Sequence, residues 1–272
     1  TGGASLGFSG EEQTAKGNGW TMNDNIAFNA SAEMDNGWVV STSMLLDESD
    51  QPGGGSLDNR SLKIDMGDAG TLTFYGQSGS SNISLMDDTT PTAGEEAWDD
   101  VTGGTAHSYG PTGDDTFFYQ NSSLMDGVMI GIDYIPSDGA DQIESSTAAV
   151  IKYTGIDGLT IGAGMGEDNG EGPTDADDVT AFNVTYTMDA ISIGYSSYEV
   201  DSNASSSDTT LTAMGISYAV SDDLSVSLNT AETEIEGSSD QEAMGISASL
   251  VIGSMTLSAN HNSVENVGGT TG

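Results

Sequence analysis

Between residues 87 and 100 the sequence carries six carboxylates, Asp87, Asp88, Glu95, Glu96, Asp99 and Asp100, broken by Pro91 and Trp98. Fixed negative charge at this density attracts cations and repels anions, most strongly in a confined channel. Two carboxylates about 4 Å apart repel by roughly 4 kcal/mol at an effective dielectric of 20, so counterions or protons must be held among them. Calcium suits such a loop because it accepts about six to eight oxygens in flexible geometry, and Asp87, Asp88, Glu95 and Glu96 are its candidate ligands. The same run also reads as an ordinary solvated face.

Cations are scarce enough that each one is informative. Four Lys plus Arg stand against 43 Asp plus Glu in 272 residues, a formal net charge of -39. That balance excludes nucleic acid as a partner, since phosphate binding needs clustered cations. Lys63 shares the parity of Ser61 and Asp65 and Lys152 is opposite in phase to Ile151 and Tyr153, which gives both the lumen parity, whereas Arg60 shares the parity of Leu62. Catalytic chemistry is not indicated. His107 and His261 are the two imidazoles and lie far apart, and cysteine is absent. The stretch Gly162-Ala-Gly-Met-Gly166 lacks the spacing of a nucleotide loop, and Asp168 to Asp178 resembles a calcium loop in composition alone. No catalytic residue is assigned and no cofactor is required, with calcium the one candidate ion.

The elements that must position these residues are strands. Turn signals begin at Met34, Gly67, Leu124, Gly155, Thr187, Val220 and Val251, in steps of 33, 57, 31, 32, 33 and 31 residues. Asp-Gly and Asn-Gly supply the positive φ that tight hairpins need. Between turns the sequence alternates, as in Leu159, Ile161, Ala163 and Met165 against Thr160, Gly162, Gly164 and Gly166. The sequence holds no apolar run of about 18 residues, which excludes a spanning helix but not a spanning barrel, whose strands need about 9 to 11 alternating residues. Trp38, Tyr153, Tyr186 and Tyr218 lie near the turns, and Phe8, Phe74, Tyr134, Tyr195 and Tyr198 lie toward the opposite ends, which suggests two interfacial girdles. Seven turns plus an opening strand give fifteen strands. An even number is expected of a closed barrel, so a sixteenth is expected after the Gly-rich stretch Val267 to Gly272.

The turn Asp35-Asn-Gly-Trp38, the stretch Leu62-Lys-Ile-Asp-Met-Gly-Asp-Ala-Gly-Thr-Leu-Thr-Phe74 and a long insert after the fifth strand together resemble a general porin of Gram-negative outer membranes, particularly the acidic alphaproteobacterial kind. The resemblance spans the whole chain. It implies an all-β fold, a transmembrane antiparallel barrel of sixteen strands, as one domain over residues 1–272, assembled as a homotrimer in outer-membrane lipid. It further implies that the third loop, residues 78–113, folds into the lumen as a constriction, with Asp87, Asp88, Glu95, Glu96, Asp99 and Asp100 facing the basic wall candidates Arg60, Lys63 and Lys152. Small hydrophilic solutes and cations would then pass by diffusion. The aromatic-ended last strand and the Pro-Glu-Phe-Gly-Gly loop motif of the family are missing. Two other readings fit parts of the pattern: an extracellular soluble β-sandwich or adhesin-like calcium-binding protein, and an outer-membrane barrel dedicated to one substrate.

Overall fold

The structure, a computed structural model, describes residues 2–9, 19–47, 59–99, 101, 104, 110–137, 144–169, 176–203 and 208–270. Asp100 and His107 lie outside the described residues. Fifteen strands follow in order: β1 Gly2–Ser9, β2 Gly19–Glu33, β3 Val39–Asp47, β4 Asn59–Asp65, β5 Thr71–Gln77, β6 Thr116–Met125, β7 Val128–Ile135, β8 Ser146–Ile156, β9 Leu159–Asp168, β10 Asp177–Met188, β11 Ile191–Ser202, β12 Thr209–Ala219, β13 Leu224–Ile235, β14 Gln241–Ile252 and β15 Met255–Glu265. They form a single antiparallel meander in sequence order, with β1 and β15 as its two edges. No helix among the described residues is long and apolar enough to cross a membrane, so any crossing is made by strands.

Each short turn sits where the glycine and aspartate signals put it. Gly37, Gly67, Gly127, Gly158 and Gly253 all have positive φ, and Asp189 takes the same role at φ 53 in a turn without glycine, whereas the glycine-free turn Val220–Asp223 has no positive φ. Aspartate tolerates this left-handed geometry better than most residues. The turns fix register because the side-chain period is two, and a slip of one residue would invert both faces.

The faces are inverted relative to a soluble protein. On β13, Val226, Leu228 and Thr230 are exposed while Ser227, Asn229 and Ala231 are buried. On β14, Met244 and Ile246 are exposed, and Gly245 and Ser247 are buried. A soluble sandwich would bury its aliphatic face against a second sheet, so that alternative fails on its central requirement. The outer face also carries cross-strand aromatics, with ring centroids 4.9 Å apart for Phe74 and Phe117 and 6.4 Å apart for Phe182 and Tyr195. Tyr186 and Tyr218 are exposed at the turn ends. Tyr198 departs from this arrangement. It is three residues from Tyr195, hence on the opposite face, and is buried inside at 2% exposure.

Candidate functional site

Among the described residues, the long connection between β5 and β6 is the segment that leaves the sheet and runs across its inner face. Its ends meet at the wall, where Gly79 N donates to Gly113 O (2.9 Å) and Ser78 N donates to an Asp114 carboxylate oxygen (2.9 Å). From there the loop runs along the inner face. Asn82 bonds to Asp133 of β7, and Ile83 and Met86 pack with Ala148 and Val150 of β8 over the small inner residues Gly162, Gly164 and Gly166 of β9. Asn183 of β10 donates to Met86 O at 3.4 Å and to Thr89 Oγ1 at 3.2 Å, and Tyr198 of β11 donates its hydroxyl to Met86 O.

Pro91 then lies so close to Gly194 of β11 that a Cβ there would overlap the proline ring. Ala93 N donates to Ser227 of β13 (2.8 Å), Glu95 N to Asn260 of β15 (3.4 Å) and Ala97 N back to Asn229 of β13 (3.1 Å). Leu85 on the same segment meets a cavity lined by β2 to β6. One loop thus touches wall in nearly every direction, which requires that the sheet curl around it as a barrel and that the loop lie within.

Within the loop the structure gathers Asp87, Asp88, Glu96 and Asp99, with one carboxylate oxygen of each inside 4.8 Å of the others. Glu95, expected among the metal ligands, is not in this group. It is exposed, and its carboxylate accepts a hydrogen bond from Glu96 N at 3.1 Å instead. Asp99 takes its place. Glu96 is 1% exposed and accepts a hydrogen bond from Thr90 N at 3.0 Å. Burial first, and then the charges of Asp99, Asp87 and Asp88, push its carboxyl up to about 9 against the opposing Thr90 bond. Asp99 is pushed up to about 7, again chiefly by burial and then by Asp87, Asp88 and Glu95, with a Glu96 side-chain hydrogen bond acting in the opposite sense. Near neutral pH, Glu96 therefore keeps its proton and donates it toward Asp99.

The donor set fits a hard divalent cation. Two oxygens on opposite sides of calcium, at about 2.4 Å each, are about 4.8 Å apart. Such an ion would supply the charge that the proton on Glu96 now supplies.

The three basic candidates separate. Lys63 is exposed on the inner face of β4 and lines the cavity beside Ser61, Thr73, Tyr75 and Gln120. Lys152 lies on the inner parity of β8, opposite Met129 and Gly162, next to the row that Met86 covers. Arg60 precedes a register shift at Ser61, shares the face of Leu62, and donates Nε to Gly76 O at 3.1 Å. It does not line the cavity that Lys63 lines. Asp133, Asn82, Asn183, Asn229 and Asn260, which seat the loop together with Tyr198, are not among the site residues read from sequence, where Tyr198 stands as a girdle residue. Their signal was present, since each strand residue among them has the inner parity of its strand.

The comparisons agree with this architecture. A model of the Gram-negative porin family matches residues 1–271. No curated protein matches the sequence. Among solved structures, a mutant of Rh. blastica porin aligns with TM-score 0.70 at 15% identity, covering 97% of this chain and 94% of that one. An anion-selective porin from Comamonas acidovorans aligns with TM-score 0.68 at 13% identity, covering 97% and 89%. The outer membrane protein OmpT of Vibrio cholerae, in its trimer form, aligns with TM-score 0.68 at 12% identity, covering 97% and 89%. With its inverted faces, short turns and inward third loop, the chain belongs to the Gram-negative porin family and is a diffusion porin of the bacterial outer membrane.

Proposed function

We propose that this porin passes small hydrophilic solutes with a bias toward cations, and that the quartet Asp87, Asp88, Glu96 and Asp99 sets the bias. The observation that carries the reading is the placement of the loop. By seating against β7 to β15 it leaves a cavity of about 480 Å³ against β2 to β6, bordered by Asn29, Ser41, Ser61, Lys63, Thr73 and Gln120. Hydroxyl and amide walls favour hydrated solutes over apolar ones. The acidic loop on one side of the lumen and Lys63 on the other give a field across the path, which sorts ions and dipolar solutes by charge; Lys152, on β8 at the loop's own side, is left out of that opposing wall. Glu95 contributes charge without belonging to the quartet, and Asp100 is a further candidate. Arg60 is left out because its side chain follows the outer parity.

Calcium is a second occupant of the same quartet, favoured by the four oxygens within 4.8 Å. It would act as a regulator of the bias rather than as a required cofactor. Assembly as a homotrimer in outer-membrane lipid fits the family, and the trimer recorded for OmpT supports that proposal.

The test is the reversal potential in planar bilayers under a KCl gradient. The wild type is expected to favour potassium over chloride, and amide replacement of Asp87, Asp88, Glu96 and Asp99 together should bring the permeability ratio close to unity. Millimolar calcium should lower the ratio in the wild type and leave the amide variant unchanged. An unchanged ratio in the amide variant would remove the quartet from the mechanism.

A further inference from the structure

The loop meets its wall almost entirely through neutral groups, with hydroxyls of Ser196, Ser227 and Tyr198 and amides of Asn183, Asn229 and Asn260. The contact at its beginning is different. Asp133 on β7 is 0% exposed and Asn82 on the loop is 1% exposed. The Asn82 backbone N–H donates to Asp133 Oδ2 at 2.7 Å, and the Asn82 side-chain amide donates to Asp133 Oδ1 at 2.7 Å. A single carboxylate therefore grips one loop residue at two points, with short bonds of the charge-assisted kind. Gln120 of β6 completes the seat by donating Nε2 to Asn82 Oδ1 at 2.8 Å, and Asn82 Nδ2 also reaches Tyr119 O at 3.3 Å. The wall is cut away beneath it. A Cβ at Gly131 would overlap the Asn82 amide, so the loop approaches as closely as it does because that position has no side chain.

We propose that Asp133 is a positioning residue for conduction: it pins the start of the constriction loop at Asn82 and thereby sets the width of the path against β2 to β6. Ile83, Leu85 and Met86 follow directly. Ile83 and Met86 sit over the glycines of β9, and Leu85 borders the cavity, so their placement follows that of Asn82. With the pin lost, the buried Asn82 N–H loses its acceptor and the Asn82 amide keeps only its longer bond to Tyr119 O, and the least costly remedy is for the segment to lift from the wall toward water. The acidic quartet shifts with it.

The inference rests on the porin reading, and single-channel recording of the trimer in planar bilayers separates the two. Asp133→Asn keeps the shape but turns an amide donor toward an amide donor. Asn82→Asp sets two carboxylates face to face. Each is expected to change the mean single-channel conductance by about a factor of 1.5 or more and to add current noise, because the loop no longer holds one position. In the double variant N82D with D133N the donor and acceptor are exchanged and the pair is restored, so conductance should return toward wild type. A role in folding alone would lower assembly yield without this recovery in conductance. Gly131→Ala provides the independent arm, since it presses on Asn82 and leaves Asp133 intact, and it should reproduce the conductance change even if the charged variants fail to assemble. Wild-type conductance and noise in Gly131→Ala, or in assembled D133N, would overturn the proposal. If the wild type itself formed no channels, the porin reading would fall instead.

Discussion

Among the described residues, carboxylates crowd together both on the inner loop and on the outer wall, and they are brought together by different means. The inner quartet comes from thirteen consecutive residues, 87–99, folded so that four oxygens lie within 4.8 Å. The outer groups come from different strands. Glu232, Glu242 and Glu265 lie directly opposite one another across β13, β14 and β15, and Glu167, Asp178 and Asp201 do the same across β9, β10 and β11. All six outer residues are exposed, whereas Glu96 is buried. Like charges in directly opposed positions of a sheet repel, yet water and mobile ions beside an exposed row screen them. Glu96, buried within the quartet, lacks that screening and takes up a proton. Clustered carboxylates therefore yield a titrating group in one place and a salt-sensitive row in the other.

The largest test of this contrast is the pH dependence of stability. The Glu96 carboxyl is raised from 4.5 to about 9 in the fold, so from about pH 5 to pH 9 the native state binds more protons than the unfolded chain. Stability must fall as pH rises through that window. Glu96→Gln cannot ionise and keeps both the acceptor for Thr90 and a donor for Asp99. It should match wild type near pH 5 and exceed it at about pH 9 by on the order of 3 kcal/mol, taking about 1.4 kcal/mol per unit and discounting for coupling among the four acids. Thermal denaturation of the detergent-solubilised protein at the two pH values measures the difference. Equal melting temperatures at pH 9 would mean that Glu96 is relieved by an ion rather than a proton.

Selectivity gives a second, smaller separation. As Asp99 and then Glu96 ionise between about pH 6 and pH 9, the potassium-to-chloride permeability ratio should rise, by about twofold for one to two added charges near the path. Replacing Glu232, Glu242 and Glu265 with glutamine should leave that rise intact, because these side chains face away from the lumen. A flattened profile in this outer variant would mean that the ratio reports whole-barrel charge instead of the loop.

Much of this was open to inspection in the sequence, and the limits are physical. Period-two alternation and glycine turns specify strands because most of the turns depend on a local positive-φ residue, an aspartate in the glycine-free turn at Asp189, while the turn Val220–Asp223 does without one. The insert stood out by length. Which of its acids converge did not, since an irregular loop has no period to separate Glu95 from Asp99. Tyr198 could have been placed correctly, because an odd spacing from Tyr195 puts it on the inner face. Asp133 had the inner parity too, but its partner Asn82 lies 51 residues away, and no pattern along the chain joins them. The outer acidic rows are invisible for the same reason, as they exist only once the register is known.

The smallest prediction tests that register directly. Glu242 faces Glu232 on one side and Glu265 on the other, so Glu242→Lys converts two repulsive pairs into two attractive ones. Each cross-strand pair is worth roughly 0.2–1 kcal/mol, and a gain of about 1 kcal/mol at low salt is expected. It should shrink at 1 M salt, where the screening length is about 3 Å. Ile246→Lys, four residues along the same strand and on the same face, should do the reverse, costing about 2–4 kcal/mol if it lies near the bilayer midplane. Opposite signs for one substitution type on one strand require both that Glu242 lie between two acids and that Ile246 lie in the lipid belt. A loss at both positions would mean that the rim row sits among lipid chains, and a gain at both would mean that the outer face meets water.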